Sequence, residues 1–316
     1  GGAAVAGLCL LAGWCVLPRL REARRTDAWL LRAAVGIGPL AAVMLAAGQV
    51  PGLVMRLPWG RLGAAGLVAA AVSIARDVRR GAGRGRERPD GDGARALRPG
   101  EAVAWAVVAL WLVLMLAPAF APPVAYDVLE YHLGIVAHVF ETGHVTPIPG
   151  VFYTAQPLAT EMLYLPAAVV EGDARGAAPG VVQWLLFVLA TLLWVRLGRA
   201  LRLPRVLTPL VWLVLLAHPI IFGLQLDCLT DATGMVLLLA GLWVGVRRRR
   251  LGGALVLGLL AGGAVAAKWT NAGTVLPMLA LLAGCRAMRG RRAPFREAML
   301  FGAGVAVPLL PWIAWL

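Results

Sequence analysis

Tyr126–His144 reads YDVLEYHLGIVAHVFETGH and holds three of the chain's four histidines. It follows an apolar run, 102–121, that closes on Pro122-Pro123. At about 100° per residue, Asp127, Glu130, Tyr131, Gly134, His138 and Glu141 fall on one side of a helix, with Leu129, Leu133, Val136 and Phe140 opposite. Pro123 before it and Gly143 after it mark its ends. An amphipathic helix attached to a spanning run lies along the membrane surface. The plainer alternative is a solvated surface helix.

Outward from this stretch, apolar runs of spanning length recur. The chain has 316 residues, 60% of them hydrophobic, and a mean hydropathy of +0.78. Soluble domains sit nearer half apolar. The fold class is therefore all-α, a polytopic membrane protein with about ten spanning helices. The runs are 1–17, 33–50, 60–76, 101–121, 179–195, 206–222, 232–246, 251–267, 272–285 and 298–316. The first has no positive flank ahead of it and reads as a span rather than a signal peptide. The chain starts without methionine and stops within an apolar run, so we expect a segment of a longer protein.

The net charge of +14 comes in clumps of arginine between the runs, at 19–25, 76–98, 196–205, 247–250 and 286–296. Such loops stay on the cytoplasmic side. No aromatic-plus-basic interleaving or nucleic-acid motif is present, so nucleic acid is not an expected partner. The Gly/Arg-rich stretch 77–100 reads as a cytoplasmic linker between a first group of helices, 1–76, and a core, 101–316. The four cysteines have no metal spacing and imply no disulfide framework.

One segment, 156–170 (QPLATEMLYLPAAVV), is apolar enough to cross. If it crossed, every later arginine clump would change sides. Glu161 inside it would also cost several kcal/mol at mid-bilayer. We read it as an interfacial or re-entrant helix. The outer face then gathers Asp127, Gln156, Glu161, the loop Gln225–Asp231 and the turn Lys268–Asn271.

Lys268 is the only lysine and closes an apolar run, where a phosphate or a carboxylate can offset its charge; snorkelling to the interface is the plainer reading. Asp227 and Asp231, four apart, share one face if helical. They can bind a cation, hold a sugar or pair with Lys268, or Asp227 can simply cap the next helix, as can Thr230. Asp127, at the water–membrane boundary, is the best candidate base for a substrate hydroxyl. His132 sits about 140° round the helix from it, too far for a simple dyad. The histidines are six apart, which is not a helical metal spacing, and no metal ligand set is assigned. No HExxH, P-loop or Ser-His-Asp set appears.

Five stretches together resemble the GT-C-type membrane glycosyltransferases, the superfamily of protein O-mannosyltransferases and lipid A aminoarabinose transferases, and more closely its bacterial relatives with a D-x-x-x-Y-H start. Asp127, Tyr131 and His132 match that start, at the family's first outer loop. Pro157, Glu161, Leu163 and Tyr164 match its P-x-x-x-E-x-L-Y. Leu226–Asp231 is similar to its outer-loop acid before a span, Gly258–Asn271 to its GLxxGxxxxxKxT, and Pro311-Trp312 to its PW. The matches keep the family's order across 101–316. Val128 stands where the family often has a second acid, and three helices precede the core.

The resemblance implies a GT-C-like first outer loop carrying amphipathic interfacial helices. It also implies inverting sugar transfer on the periplasmic face of a bacterial inner membrane, from a polyprenyl-phosphate-sugar donor to a hydroxyl on a glycan, lipid or protein acceptor. Asp127 would be the general base. Glu130, Tyr131, His132, Gln156, Glu161, Asp227, Asp231 and Lys268 would bind substrate, with Lys268 or an ion meeting the phosphate charge. An apolar groove between helices would hold the prenyl chain. The only cofactor left open is a divalent cation. A transporter or lipid flippase using the same charged residues is the alternative, and a non-catalytic assembly subunit a third.

Overall fold

A computed structural model describes residues 2–16, 25–83, 98–247, 252–275 and 294–315. Every regular element among them is helical. The chain runs α1 (Gly2–Val16), α2 (Arg25–Gly48), α3 (Leu53–Arg56), α4 (Trp59–Gly83) and α5 (Pro99–Ala119). A π turn (Val128–His132) leads into α6 (Leu133–Thr142), and a 3-10 turn (Phe152–Ala155) precedes α7 (Ala159–Glu171). Then come α8 (Ala177–Ala200), α9 (Leu207–Ala217), α10 (Pro219–Leu226), α11 (Asp231–Arg247) and α12 (Gly252–Ala267). A 3-10 turn (Trp269–Asn271) and α13 (Pro294–Ile313) complete the described chain.

Among the described residues, three helices are long and apolar enough to cross a membrane: Trp29–Gly48, Pro99–Ala119 and Ala177–Ala200. The bent pair α9 and α10 makes a fourth if counted as one span. Further apolar helices of 10–17 residues are Gly2–Gly13, Trp59–Val72, Asp231–Val246 and Gly253–Ala267. The chain is thus an α-helical membrane protein. The linker 77–100, the arginine loops at 19–25, 247–250 and 286–296, and the run 272–285 fall largely outside the described residues.

The apolar run 206–222 is not one straight helix. His218, held extended ahead of Pro219, separates α9 from α10, and the two axes bend by 73°. A helix end leaves carbonyls without helical partners. Gln225 repairs the break: its Nε2 donates to the Leu216 carbonyl at 3.1 Å. Its Oε1 accepts from Trp111 Nε1 on α5 at 2.9 Å.

Small residues let backbones touch. A Cβ on Gly258 or Gly262 of α12 would collide with the Phe301 or Val305 carbonyl of α13. Gly7 on α1 meets Gly63 of α4 in the same manner. Consequently α1 and α2 are not held apart from the later helices. Gly2 lies against Val181 of α8, and α2 contacts α7, α12 and α13.

The bundle has two chemically distinct ends. At one, Val145 N–H donates to the Gly48 carbonyl and Gln49 Nε2 to the Pro311 carbonyl. Trp312 Nε1 donates to the Ala155 carbonyl there, and Gly180 touches the Ala119 carbonyl. The carboxylates of the next section lie at this acidic end. Arg196, Arg199, Arg202 and Arg205 lie at the other end of α8. α7 does not run between the ends. Its approach, Ala155, is bonded to Trp312, while Val170 in its last turn lies near Gly60 at the start of α4. Residues 159–168 are all buried, so α7 is a plug laid across the acidic end.

Candidate functional site

The helix expected over 126–144 forms, but with one more residue in its first turn. Leu133 N–H bonds to the Val128 carbonyl, closing a π turn over 128–132. Such single turns recur at functional sites. The added residue rotates what precedes it relative to α6, and two expectations change with it. Leu129 does not belong to the buried face but is 39% exposed. The following segment is not a surface helix either: Leu133, Ile135, Val136, Ala137 and Val139 are all buried, with α7 against them.

The π turn also turns His132 inward. Its Nδ1–H donates to Glu161 Oε1 of α7 at 2.6 Å, with both side chains buried. A contact this short between imidazole and carboxylate is a charge-assisted bond. The second carboxylate oxygen, Oε2, is buried without a partner, as is the hydroxyl of neighbouring Thr160. Asp127, by contrast, is exposed and makes no hydrogen bond to His132.

Asp127 instead sits beside Tyr131. Burial raises the Tyr131 hydroxyl pKa, and the Asp127 charge and a side-chain hydrogen bond to it add to the shift. Glu130 turns the other way, toward Tyr126, whose pKa its hydrogen bond and charge raise. The Tyr131 ring stacks on Tyr153 at 3.8 Å between centroids and meets His132 at 4.4 Å. A continuous line of rings thus leads from half-exposed Tyr153 to buried Glu161. Gln156, half-buried, closes the 3-10 turn through its backbone N–H to the Tyr153 carbonyl.

A second ion pair lies between α11 and the end of α12. Lys268 Nζ donates to both carboxylate oxygens of Asp231, at 2.9 and 2.8 Å. Both side chains remain about one-third exposed, at 37% and 33%. Asp227 does not share a helix face with Asp231. It is extended at the end of α10, and α11 begins only at Asp231. Nor does Thr230 cap that helix: its hydroxyl is buried without a partner. Cys228, between the two aspartates, is buried, and its thiol is pushed up to about 12 by burial and by Asp227.

Tyr164 of α7 bonds to α8 and to the loop ahead of α11. Its hydroxyl donates to Gln183 Oε1 at 2.9 Å and faces the Leu229 carbonyl at 3.3 Å. Burial pushes its pKa up, and the charges of Glu161 and Asp231 both act on it. The arrangement thus has a buried charge pair at α7 and a one-third-exposed pair at the start of α11. Among the described residues, no ion pair or hydrogen bond links Asp127 or His132 directly to Lys268. No group of three or more His, Cys, Asp or Glu there is arranged to hold a metal ion.

Sequence reading missed Gln183, whose amide also donates to the Leu224 carbonyl at 2.7 Å. A lone glutamine in an apolar run was the available signal. Tyr153 carried no such mark. His138 and His144 are structural, bonded to Thr146 Oγ1 and the Gln49 carbonyl. In comparisons with known proteins, no family model, curated protein or solved structure matches the chain.

Proposed function

We propose that the protein is a GT-C-like membrane glycosyltransferase, moving a sugar from a polyprenyl-phosphate donor to an acceptor hydroxyl at the acidic end of the bundle. What carries the reading is the gathering of Asp127, Glu130, Glu161, Asp227, Asp231 and the single lysine at one end of an apolar bundle, where Arg56, Arg61 and Arg175 also lie, with the cluster Arg196, Arg199, Arg202 and Arg205 at the other. A lipid-borne donor needs a site where ionisable groups meet apolar helices near the bilayer surface. Taking the bent pair and the four shorter apolar helices as crossing too gives eight spans among the described residues, and the runs 272–285 and 298–316 would bring the number to ten. The arginine end is then cytoplasmic and the acidic end periplasmic, in a bacterial inner membrane.

In the proposed reaction Asp127 takes the proton of the acceptor hydroxyl as that oxygen attacks the anomeric carbon. The bond from that carbon to the phosphate oxygen breaks, and the phosphate leaves with the electron pair. Its charge is met by Lys268. His132 and Glu161 hold the π turn against α7, and Tyr131 and Glu130 are the proposed substrate contacts beside Asp127. Gln156 and Asp227 flank it, and a divalent cation is an optional further partner. The test is Asp127→Asn in membranes supplied with a polyprenyl-phosphate sugar. Transfer should be lost while the melting temperature is unchanged, because Asp127 is exposed and pairs with no buried charge. Near-normal transfer removes Asp127 from the mechanism.

The break at His218–Pro219 favours a second reading, a transporter or flippase, since broken helices accompany transport sites. Movement of a polyprenyl-phosphate sugar across vesicles without chemical change would select it.

A further inference from the structure

We propose that the Asp231 carboxylate occupies the place of a phosphate group at the first turn of α11, and that an anionic phosphate displaces it from Lys268. This deepens the transferase reading and rests on it only for the phosphate being lipid-borne.

Helix α11 is 17 residues long and begins at Asp231. A helix start offers amide donors and a partial positive charge, which favour an anion. The first amide to find a helical acceptor is that of Gly234, on the Thr230 carbonyl at 3.4 Å. Those of residues 231–233 find none among the described residues. The hydroxyls of Thr230 and Thr233 are buried, at 3% and 0% exposure, and also lack partners. Three apart, they lie on one side of the first turn.

Over the adjoining side lies the Lys268–Asn271 turn. Gly234 there has no room for a Cβ beneath the Asn271 amide. Lys268 thus stands at a helix start with unused donors around it. The carboxylate already present spends both oxygens on Lys268. Neither oxygen reaches the Thr230 or Thr233 hydroxyl, although each keeps a free lone pair. A phosphate carries more charge and more acceptor oxygens, and can serve the ammonium and the first turn together. Asp231 is one-third exposed and can swing toward solvent when displaced.

The prediction has an unusual sign: removing a charged residue next to the lysine tightens anion binding. The full chain in dodecyl maltoside is titrated with dodecyl phosphate and, separately, with inorganic phosphate, and binding is followed by calorimetry. Asp231→Asn should tighten binding about fivefold, the scale of a half-exposed ion pair. Lys268→Met should abolish it, and Thr233→Val should weaken it. Preference for dodecyl phosphate assigns the site to a lipid headgroup; equal binding assigns it to free phosphate.

Unchanged or weaker binding by Asp231→Asn overturns the proposal, as does absence of binding in every form. If Asp231→Asn does not fold, Thr233→Val decides, since wild-type-like binding there also overturns it. Tighter binding without any sugar transfer would keep this site and remove the transferase. Transfer with no gain in Asp231→Asn would do the reverse.

Discussion

The two ion pairs at the acidic end differ in what they are for. His132–Glu161 is buried and joins the π turn to α7, which is itself the plug of that end. Lys268–Asp231 is half-open and ties one helix start to one helix end. The desolvation cost of a buried pair can exceed its attraction, yet removing one partner strands the other. An exposed pair costs little to make and little to lose. The first therefore fixes shape, and the second is free to exchange partners.

Substitutions can break that contrast, and the largest effect should come from the buried pair. Glu161→Ala leaves His132 buried without its acceptor and should destabilise by about 3–5 kcal/mol. Thermal unfolding in detergent measures it; a loss no larger than at Asp231 would erase the distinction. Gln225→Leu should follow, at about 1–3 kcal/mol, because the Trp111 N–H and the Leu216 carbonyl lose partners at once. Asp231→Asn should change stability by no more than about 1 kcal/mol, with the difference shrinking as salt is added.

The smallest effect is on reactivity. Cys228 should resist maleimide at pH 8 in the folded protein, since its thiol is raised to about 12. The sign is that of an acid kept neutral by the fold. Its contribution is intact below the ordinary thiol value of 9.0 and is lost as pH climbs toward 12. A cysteine replacing Phe152, which is 75% exposed, should react at once. One replacing Val206, beyond the far end of α8, should be labelled only from the opposite side of the membrane; labelling of both from one side would overturn the assignment of the two ends.

Much of the frame was legible because it follows from local patterns. Apolar runs give helices. Glu161 between Pro157 and Pro166 marked the segment that became α7 as unfit to cross. The break in the 206–222 run was also written in Pro219, although length and hydropathy alone argue for one straight helix there. The His132–Glu161 pair was not legible. Its partners are 29 residues apart, and ideal helical geometry points His132 the wrong way. Only the extra residue in the π turn, which no residue type demands, brings the ring to the carboxylate. Asp231–Lys268 was one of several pairings open to that lysine, and its choice over Asp227 depended on where α11 starts.

That extra residue has a genetic meaning. Losing one codon between 128 and 132 would turn the loop into an ordinary α-helix. The α6 side would keep its place while everything before it swung by about 100°. The carboxylate of residue 127 would then point elsewhere with its own codon untouched. Where this acid stands is thus set by a head-count of the chain, and a single-codon deletion here is a different kind of lesion from any substitution.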